Sequence, residues 1–293
     1  MPRTIVEGFD EFHKKLKLIK TESELLASHR ESIKRCLETN FGLKNFFRTG
    51  SIGHGTSIYG YSDVDYFASI PTNNLHKNSA YSLKKIKEAL ENRFPNTKGI
   101  HVNSPAVVIP FGNHASETTE VIPADYIKSE NGFSIYDIPS PGGGWMRAGP
   151  TAHNEYVKKI NLKRELFLKV KPLIRFIKAW KYYKKVPISS FYIEMRVAKY
   201  ASKESSILYP IDIKYVFEEM LECELASMVD PIGISGYIES CTSEERKKDA
   251  LSKLERAFTR AEKAVDAEDD GDTEDAFDWW DLVFDYKFPS YYY

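Results

Sequence analysis

The residues best suited to chemistry lie between 50 and 65. Gly50-Ser51 opens the run GSIGHGTSIYGYSDVDYF, which closes on Asp63-Val64-Asp65. On a strand, carboxylates at i and i+2 project from the same face. Two like charges held that close repel unless a cation sits between them. Oxygen donors of this kind suit a hard divalent ion such as Mg²⁺. A Gly-Ser pair at a strand-to-helix turn offers backbone N–H groups and a hydroxyl to a phosphate. Either feature alone is commonplace, a solvated strand edge or an ordinary turn. Together, in this order, they describe a phosphate cradle beside a metal site.

These side chains need a strand under the aspartates and a turn before them. Residues 5–39 carry apolar residues at helical spacing, with a capping-box pattern from Thr21 to Glu24. Lys44–Arg48 reads as a short strand entering the turn at Gly50. Asp63–Ile70 is rich in β-formers and closed by Pro71. Ser82–Phe94 reads as a helix, and His101–Phe111 and Thr118–Ile127 as two further strands. The order is that of an α+β domain on a mixed sheet. Residues 138–150, IPSPGGGWMRAGP, read as a loop. Beyond it the pattern is helical: 153–184 with a break near Pro172, then 190–202, 211–227 and 243–266. The acidic run 266–275 reads as a mobile loop. This divides the chain into 1–150, a sheet domain with N-terminal helices, and 151–293, a helical domain.

The run from Gly50 to Phe67 resembles the glycine-serine and paired-acid signature of the DNA polymerase β-like nucleotidyltransferases. Gly55-Thr56 is most similar to the CD-NTase branch, the bacterial relatives of cyclic GMP-AMP synthase and oligoadenylate synthase. The Ala-Arg-Gly run usual in antibiotic-adenylylating relatives is missing. The resemblance implies a nucleotidyltransferase palm faced by a C-terminal helical domain across a cleft. It also implies a third acid before two apolar residues and a proline. Glu120-Val121-Ile122-Pro123-Ala124 fits that pattern, with glutamate where aspartate is more usual. Asp125 is the rival. Lys178 and Lys181, one helical turn apart, resemble the lysines that face the metal site and neutralise a triphosphate. Ser190, in Ser189-Ser190-Phe191-Tyr192, resembles a phosphate or sugar contact. The structural alternative is a solvated lysine face with Trp180 in the core.

By that resemblance Asp63, Asp65 and Glu120 bind two Mg²⁺ ions, with Mn²⁺ as the substitute. A ribose hydroxyl attacks the α-phosphorus of a second nucleotide and pyrophosphate leaves. The substrates implied are ATP and/or GTP, with UTP or CTP as further candidates. The product implied is a cyclic di- or trinucleotide second messenger that reaches a downstream effector, as in bacterial antiphage (CBASS-type) defence.

Composition narrows the class further. The chain has 293 residues, 42% hydrophobic and 28% charged, with a net charge of −1. That balance gives no global attraction to nucleic acid or membrane, and no long basic stripe offers itself to a primer. Three dispersed cysteines exclude a disulfide framework or a cysteine-rich zinc site. Without a cysteine-histidine insertion, activation by DNA is not expected. No apolar run suggests a signal peptide or a membrane span, so the expected location is the cytoplasm. The rival functions are transfer of a single nucleotide to a small molecule, protein or RNA end, and non-catalytic nucleotide binding.

Other conspicuous residues read as structural. His54 reads as a positioning or solvent-facing residue rather than a base. Asn154, after His153, reads as a helix cap. His101 and His114 are isolated and form no metal cluster. The Tyr291–Tyr293 tail reads as docked on the body.

Overall fold

A computed structural model of the chain describes residues 2–17, 23–61, 63–112 and 117–292. The first half comprises α1 (Ile5–Leu16), α2 (Ser23–Phe41), β1 (Asn45–Arg48), the single turn α3 (Gly50–His54), β2 (Val64–Ser69), α4 (Ser79–Arg93), β3 (His101–Asn103), β4 (Ala106–Phe111), β5 (Glu117–Glu130), β6 (Phe133–Pro139) and β7 (Trp145–Ala148). The second half comprises α5 (Pro150–Asn161), α6 (Val170–Tyr183), α7 (Ser190–Ala201), α8 (Tyr209–Glu222), the small strands β8 (Met228–Val229) and β9 (Tyr237–Ile238), α9 (Glu244–Asp269) and α10 (Thr273–Val283). The Thr21–Glu24 capping pattern lies outside what the structure describes.

The main sheet runs β1-β2-β5-β4-β3, with β6 and β7 added beyond β5. The β2–β5 pair is parallel and the other pairs are antiparallel, so the sheet is mixed. Alternation along the strands sorts its two faces. Val64, Tyr66, Ala68, Val107, Ile109 and Val121 pack against Ile33 and Leu37 of α2 and Leu83, Ile86 and Leu90 of α4. Each valine, leucine or isoleucine among them contributes about 1.5–3 kcal/mol by leaving water. On the opposite face, Phe67, Ile122, Ala124 and Ala106 pack with Tyr136 and Ile138. Asp63, Asp65 and Glu120 have the parity of this second face and lie at its other end.

The helical half has its own core. Leu173, Phe176, Ile177 and Trp180 form the buried stripe of α6. Phe9 and Phe12 of α1 join it, with ring centroids 5.1 and 5.8 Å from Phe176. Trp280, Phe284 and Phe288 close over Phe9 from the C-terminal side. Helix α1 precedes the sheet in sequence but packs on α6, α8 and α10. Its aromatic stripe finds its complement in the aromatic C-terminal segment. The tail is docked as expected: the Tyr292 N–H donates to the Pro2 carbonyl at 3.0 Å.

Four expectations about local structure need correction. The run 266–275 is mostly helical: α9 continues to Asp269, and α10 starts at Thr273. Ala257, Ala261, Ala264 and Ala267 form a buried stripe that lets α9 lie close to its neighbours while the acids face out. Asp272 caps α10, accepting from the Asp275 N–H, and Glu274 and Asp275 suit its positive end. Residues 101–111 are a hairpin of β3 and β4 turning at Ser104-Pro105. Residues 138–150 are not all loop, because Trp145–Ala148 pairs with β6. Strand β6, unforeseen in the sequence, supplies the partner. The break between α5 and α6 falls before Pro172, which sits in the first turn of α6. Among the described residues no helix is long and apolar enough to cross a membrane.

Candidate active site

The site begins where β1 turns into α3. Gly50 has φ +58°, and a Cβ there would collide with the Asp65 carboxylate. Only glycine lets the turn and that carboxylate share the space. The Thr49 N–H donates to the Asp65 carbonyl at 2.9 Å, which fixes the turn to β2. Ser51 follows in α3.

Asp65 stands directly opposite Glu120 across the parallel β2–β5 ladder. Two carboxyl groups in register on neighbouring strands favour a proton or a cation between them. Burial, then the charges of Glu120 and Asp63, push Asp65 well above the usual carboxylate range. Burial and Asp63 likewise raise Glu120. Burial raises Asp63, against the opposing pull of Lys181 and Thr118. Three acids pushed upward together need either protons or a cation. Their hard oxygen donors fit Mg²⁺ or Mn²⁺. Among the described residues no three His, Cys, Asp or Glu side chains are grouped closely enough to hold a metal ion as they stand. Asp125 lies elsewhere: it pairs with Asp137 on β6 and accepts from the Thr72 hydroxyl at 2.7 Å.

Helices α6 and α7 face these acids. Lys181 donates to the Ser190 hydroxyl at 2.5 Å and lies over the Tyr182 ring, 4.5 Å from its centre. Burial and the neighbouring Lys178 lower the Lys181 ammonium to about 8, while Asp63, Glu194 and Glu120 pull it back up. Lys181 and Ser190 thus form one polar unit within electrostatic reach of the acids.

Lys178 is placed differently from its expected role. It is fully buried and bonds Glu194 at 2.9 Å and the Thr56 carbonyl at 3.2 Å. Its charge answers a carboxylate inside the protein, not a triphosphate. Glu194 also accepts from the Thr56 hydroxyl at 2.6 Å and meets His54 Nδ1 at 2.5 Å. Burial alone would raise Glu194; Lys178 and His54 outweigh it and hold the carboxyl well below its usual range. His54 is therefore a buried positioning residue, not a solvent-facing one. Arg175 adds bonds to the Gly55 carbonyl at 2.6 Å and the Ser57 carbonyl at 3.2 Å. Residues 54–57, which follow the Gly50-Ser51 turn, are thus tied to both helices.

The sequence reading missed Glu194 and Arg175. The available signal was phase: Glu194 falls on the buried side of α7 between Ile193 and Met195. His153 is also structural, its ring nitrogens meeting the Gly149 carbonyl at 2.9 Å and Asp230 at 3.0 Å. Asn154 is not a cap, because α5 begins at Pro150 with Gly149 before it. A cavity of about 930 Å³ lies away from the acids, between the β5–β6 hairpin, α5 and residues 232–234. Its Lys128 and Arg147 are already paired with Glu130 and Asp137.

A mixed sheet carrying paired acids beside a glycine turn, with a helical half facing it, is the architecture of a polymerase β-like nucleotidyltransferase. The fold is shared with known structures at low sequence identity. Escherichia coli MS115-1 CdnC with ATP superposes with TM-score 0.73 at 16% identity, covering 97% of this chain and 98% of that one. Vibrio cholerae DncV cyclic AMP-GMP synthase with its linear intermediate gives 0.74 at 12% identity, covering 94% and 93%. A probable cyclic nucleotide synthase of Bacillus cereus (strain VD146) is 27% identical over 256 residues, 82% of this chain and 75% of the relative. Residues 4–161 match the Second Messenger Oligonucleotide or Dinucleotide Synthetase domain. The chain belongs to that family and is a nucleotidyltransferase.

Proposed function

We propose that this enzyme joins nucleoside triphosphates into a cyclic di- or trinucleotide second messenger, with release of pyrophosphate. The observation that carries the reading is the Asp65–Glu120 pair, seated against Gly50 on one side and faced by Lys181 and Ser190 on the other. Asp63, Asp65 and Glu120 would hold Mg²⁺ or Mn²⁺. Bound there, the metal would make a ribose hydroxyl more acidic and offset charge on the departing pyrophosphate.

The chain's own residues do the positioning. Gly50 and Ser51 admit the triphosphate close to Asp65. Lys181, steadied by Ser190, meets the β- and γ-phosphates. Glu194, Lys178 and Arg175 hold residues 54–57 so that the phosphate turn keeps its place. The attacking hydroxyl oxygen bonds to the α-phosphorus, the α–β anhydride bond breaks, and the hydroxyl proton passes to solvent. A second transfer on the linear intermediate closes the ring. The sheet with α2 and α4 supplies the palm, and the helical half, joined by α1, supplies the wall of the cleft. The product acts on a downstream effector in bacterial antiphage defence of the CBASS type. No DNA activator is needed, and the site of action is the cytoplasm.

The test is incubation with ATP, GTP, CTP and UTP and Mg²⁺, followed by phosphatase and separation of products. A phosphatase-resistant nucleotide made by the wild type, and absent with Asp63→Asn/Asp65→Asn, is expected. Omitting one triphosphate at a time identifies the bases. Consumption of NTPs only when a small molecule, protein or RNA end is added would overturn the reading in favour of single-nucleotide transfer.

A further inference from the structure

The row of side chains containing Asp65 and Glu120 extends beyond them. Glu120 lies opposite Val108 on β4, and Val108 opposite His101 on β3. Residues directly opposite in a ladder share a face. Asp65, Glu120, Val108 and His101 therefore form one line across four strands. Strand spacing of about 4.8 Å puts the His101 position about 10 Å from that of Glu120. Val108, between them, is 6% exposed, so it forms a low apolar floor. His101 itself is exposed at the sheet edge.

The line has a direction. At its Asp65 end stands Gly50, the start of the phosphate turn. The donor triphosphate occupies that end. A second nucleotide whose ribose hydroxyl reaches the α-phosphorus must approach from the Glu120 side. Its base then extends over β4 towards β3, and the gap from Glu120 to His101 is on the scale of one nucleoside. His101 Nδ1 lies 2.9 Å from the Gly99 carbonyl, which can only accept, so Nδ1 carries a hydrogen. In the neutral ring Nε2 is then an acceptor.

We propose that His101 recognises the base of the acceptor nucleotide, taking an N–H from the base edge on Nε2. This rests on the nucleotidyl-transfer reading above. It gives the enzyme a specificity residue on β3, outside the glycine turn, the acids and the lysine helix.

The experiment separates the two nucleotides. A 2′,3′-dideoxynucleoside triphosphate has no hydroxyl with which to attack and serves as donor only. An α,β-methylene nucleoside triphosphate cannot be cleaved at the α–β position and serves as acceptor only. Linear dinucleotide formation is followed for the wild type, His101→Ala and His101→Asn across the four bases. His101→Ala should raise the acceptor KM about tenfold, the scale of one lost hydrogen bond. It should also flatten the preference among acceptor bases, with donor KM and thermal midpoint unchanged. His101→Asn, which keeps a hydrogen-bonding edge, should recover part of the loss. An unchanged acceptor KM and base preference in His101→Ala would overturn the assignment of His101 alone. A wild type that forms no phosphodiester bond from ordinary NTPs would instead sink the reading that it joins NTPs to one another, and this inference with it.

Discussion

Lys178 and Glu194 meet 2.9 Å apart, with side chains 0% and 3% exposed. A buried pair of this kind is costly to break from one side, because the survivor is left charged and unsolvated. Lys178→Met or Glu194→Gln alone should lower unfolding stability by about 3–5 kcal/mol, and the double variant by less than the sum. Urea denaturation measures this. The pH dependence has a defined sign. Glu194 is held below its ordinary range, so its contribution is present above the unfolded carboxylate pKa and is lost as pH falls through the folded value. Glu194→Gln should accordingly show a shallower loss of stability on acidification. Additive single effects would mean that the pair is not coupled.

Gly50 and Asp65 give a second prediction. Gly50→Ala places a methyl group where the Asp65 carboxylate lies, at φ +58°. The left-handed backbone alone costs about 1–2 kcal/mol for an L-residue. The carboxylate must also shift, and a displacement of about 1 Å in a reacting centre can cost about a hundredfold in rate. Turnover and denaturation midpoint should fall together. Gly53→Ala, where a Cβ would stand 3.2 Å from the Arg48 carbonyl, should be much milder in both assays.

The acid set predicts opposite effects on activity and stability. Asp63→Asn, Asp65→Asn and Glu120→Gln should each reduce product to background, while Asp125→Asn, which touches Thr72, should retain it. Asp65 and Glu120 have raised folded pKa values, so with chelator present their penalty grows as pH rises through those values. Asp65→Asn and Glu120→Gln should therefore raise the thermal midpoint at neutral pH in EDTA. Mg²⁺ should raise the midpoint of the wild type and leave the variants little changed. Loss of product with Asp125→Asn and not Glu120→Gln would reverse the assignment of the third acid.

Local alternation and spacing made much of this site legible. Asp63-x-Asp65 announces a shared face, and Gly50-Ser51 announces the turn before it. Glu120 is legible through the motif around Pro123, and the structure sets it opposite Asp65. Contacts distant in sequence were not legible. Glu194 is 140 residues from His54, and no local period reports that both are buried together. Lys178 shows the same limit: i and i+3 on one helix share a face, yet a slight difference in depth sends Lys178 inward and leaves Lys181 at the cleft. The α9–α10 region is not legible from composition, because its acids mask the alanine stripe beneath them. His101 is isolated in the sequence, and only the hairpin register aligns it with Glu120.

Lys181 gives the last prediction, a pH profile. Its ammonium is lowered to about 8, chiefly by burial and by Lys178. Below that value the free enzyme presents a cation to the β- and γ-phosphates; above it the amine is neutral. The NTP kcat/KM, which reports the free enzyme, should thus decline above about pH 8. The kcat should hold to higher pH, because a bound triphosphate favours the protonated amine. Lys181→Arg carries a guanidinium that stays charged across this range and should flatten the alkaline limb. Lys181→Met should raise the NTP KM at every pH by about ten- to a hundredfold, the scale of one charge-assisted hydrogen bond. If Lys181→Arg keeps the same decline above pH 8, another group titrates there and Lys181 is not the phosphate-facing cation.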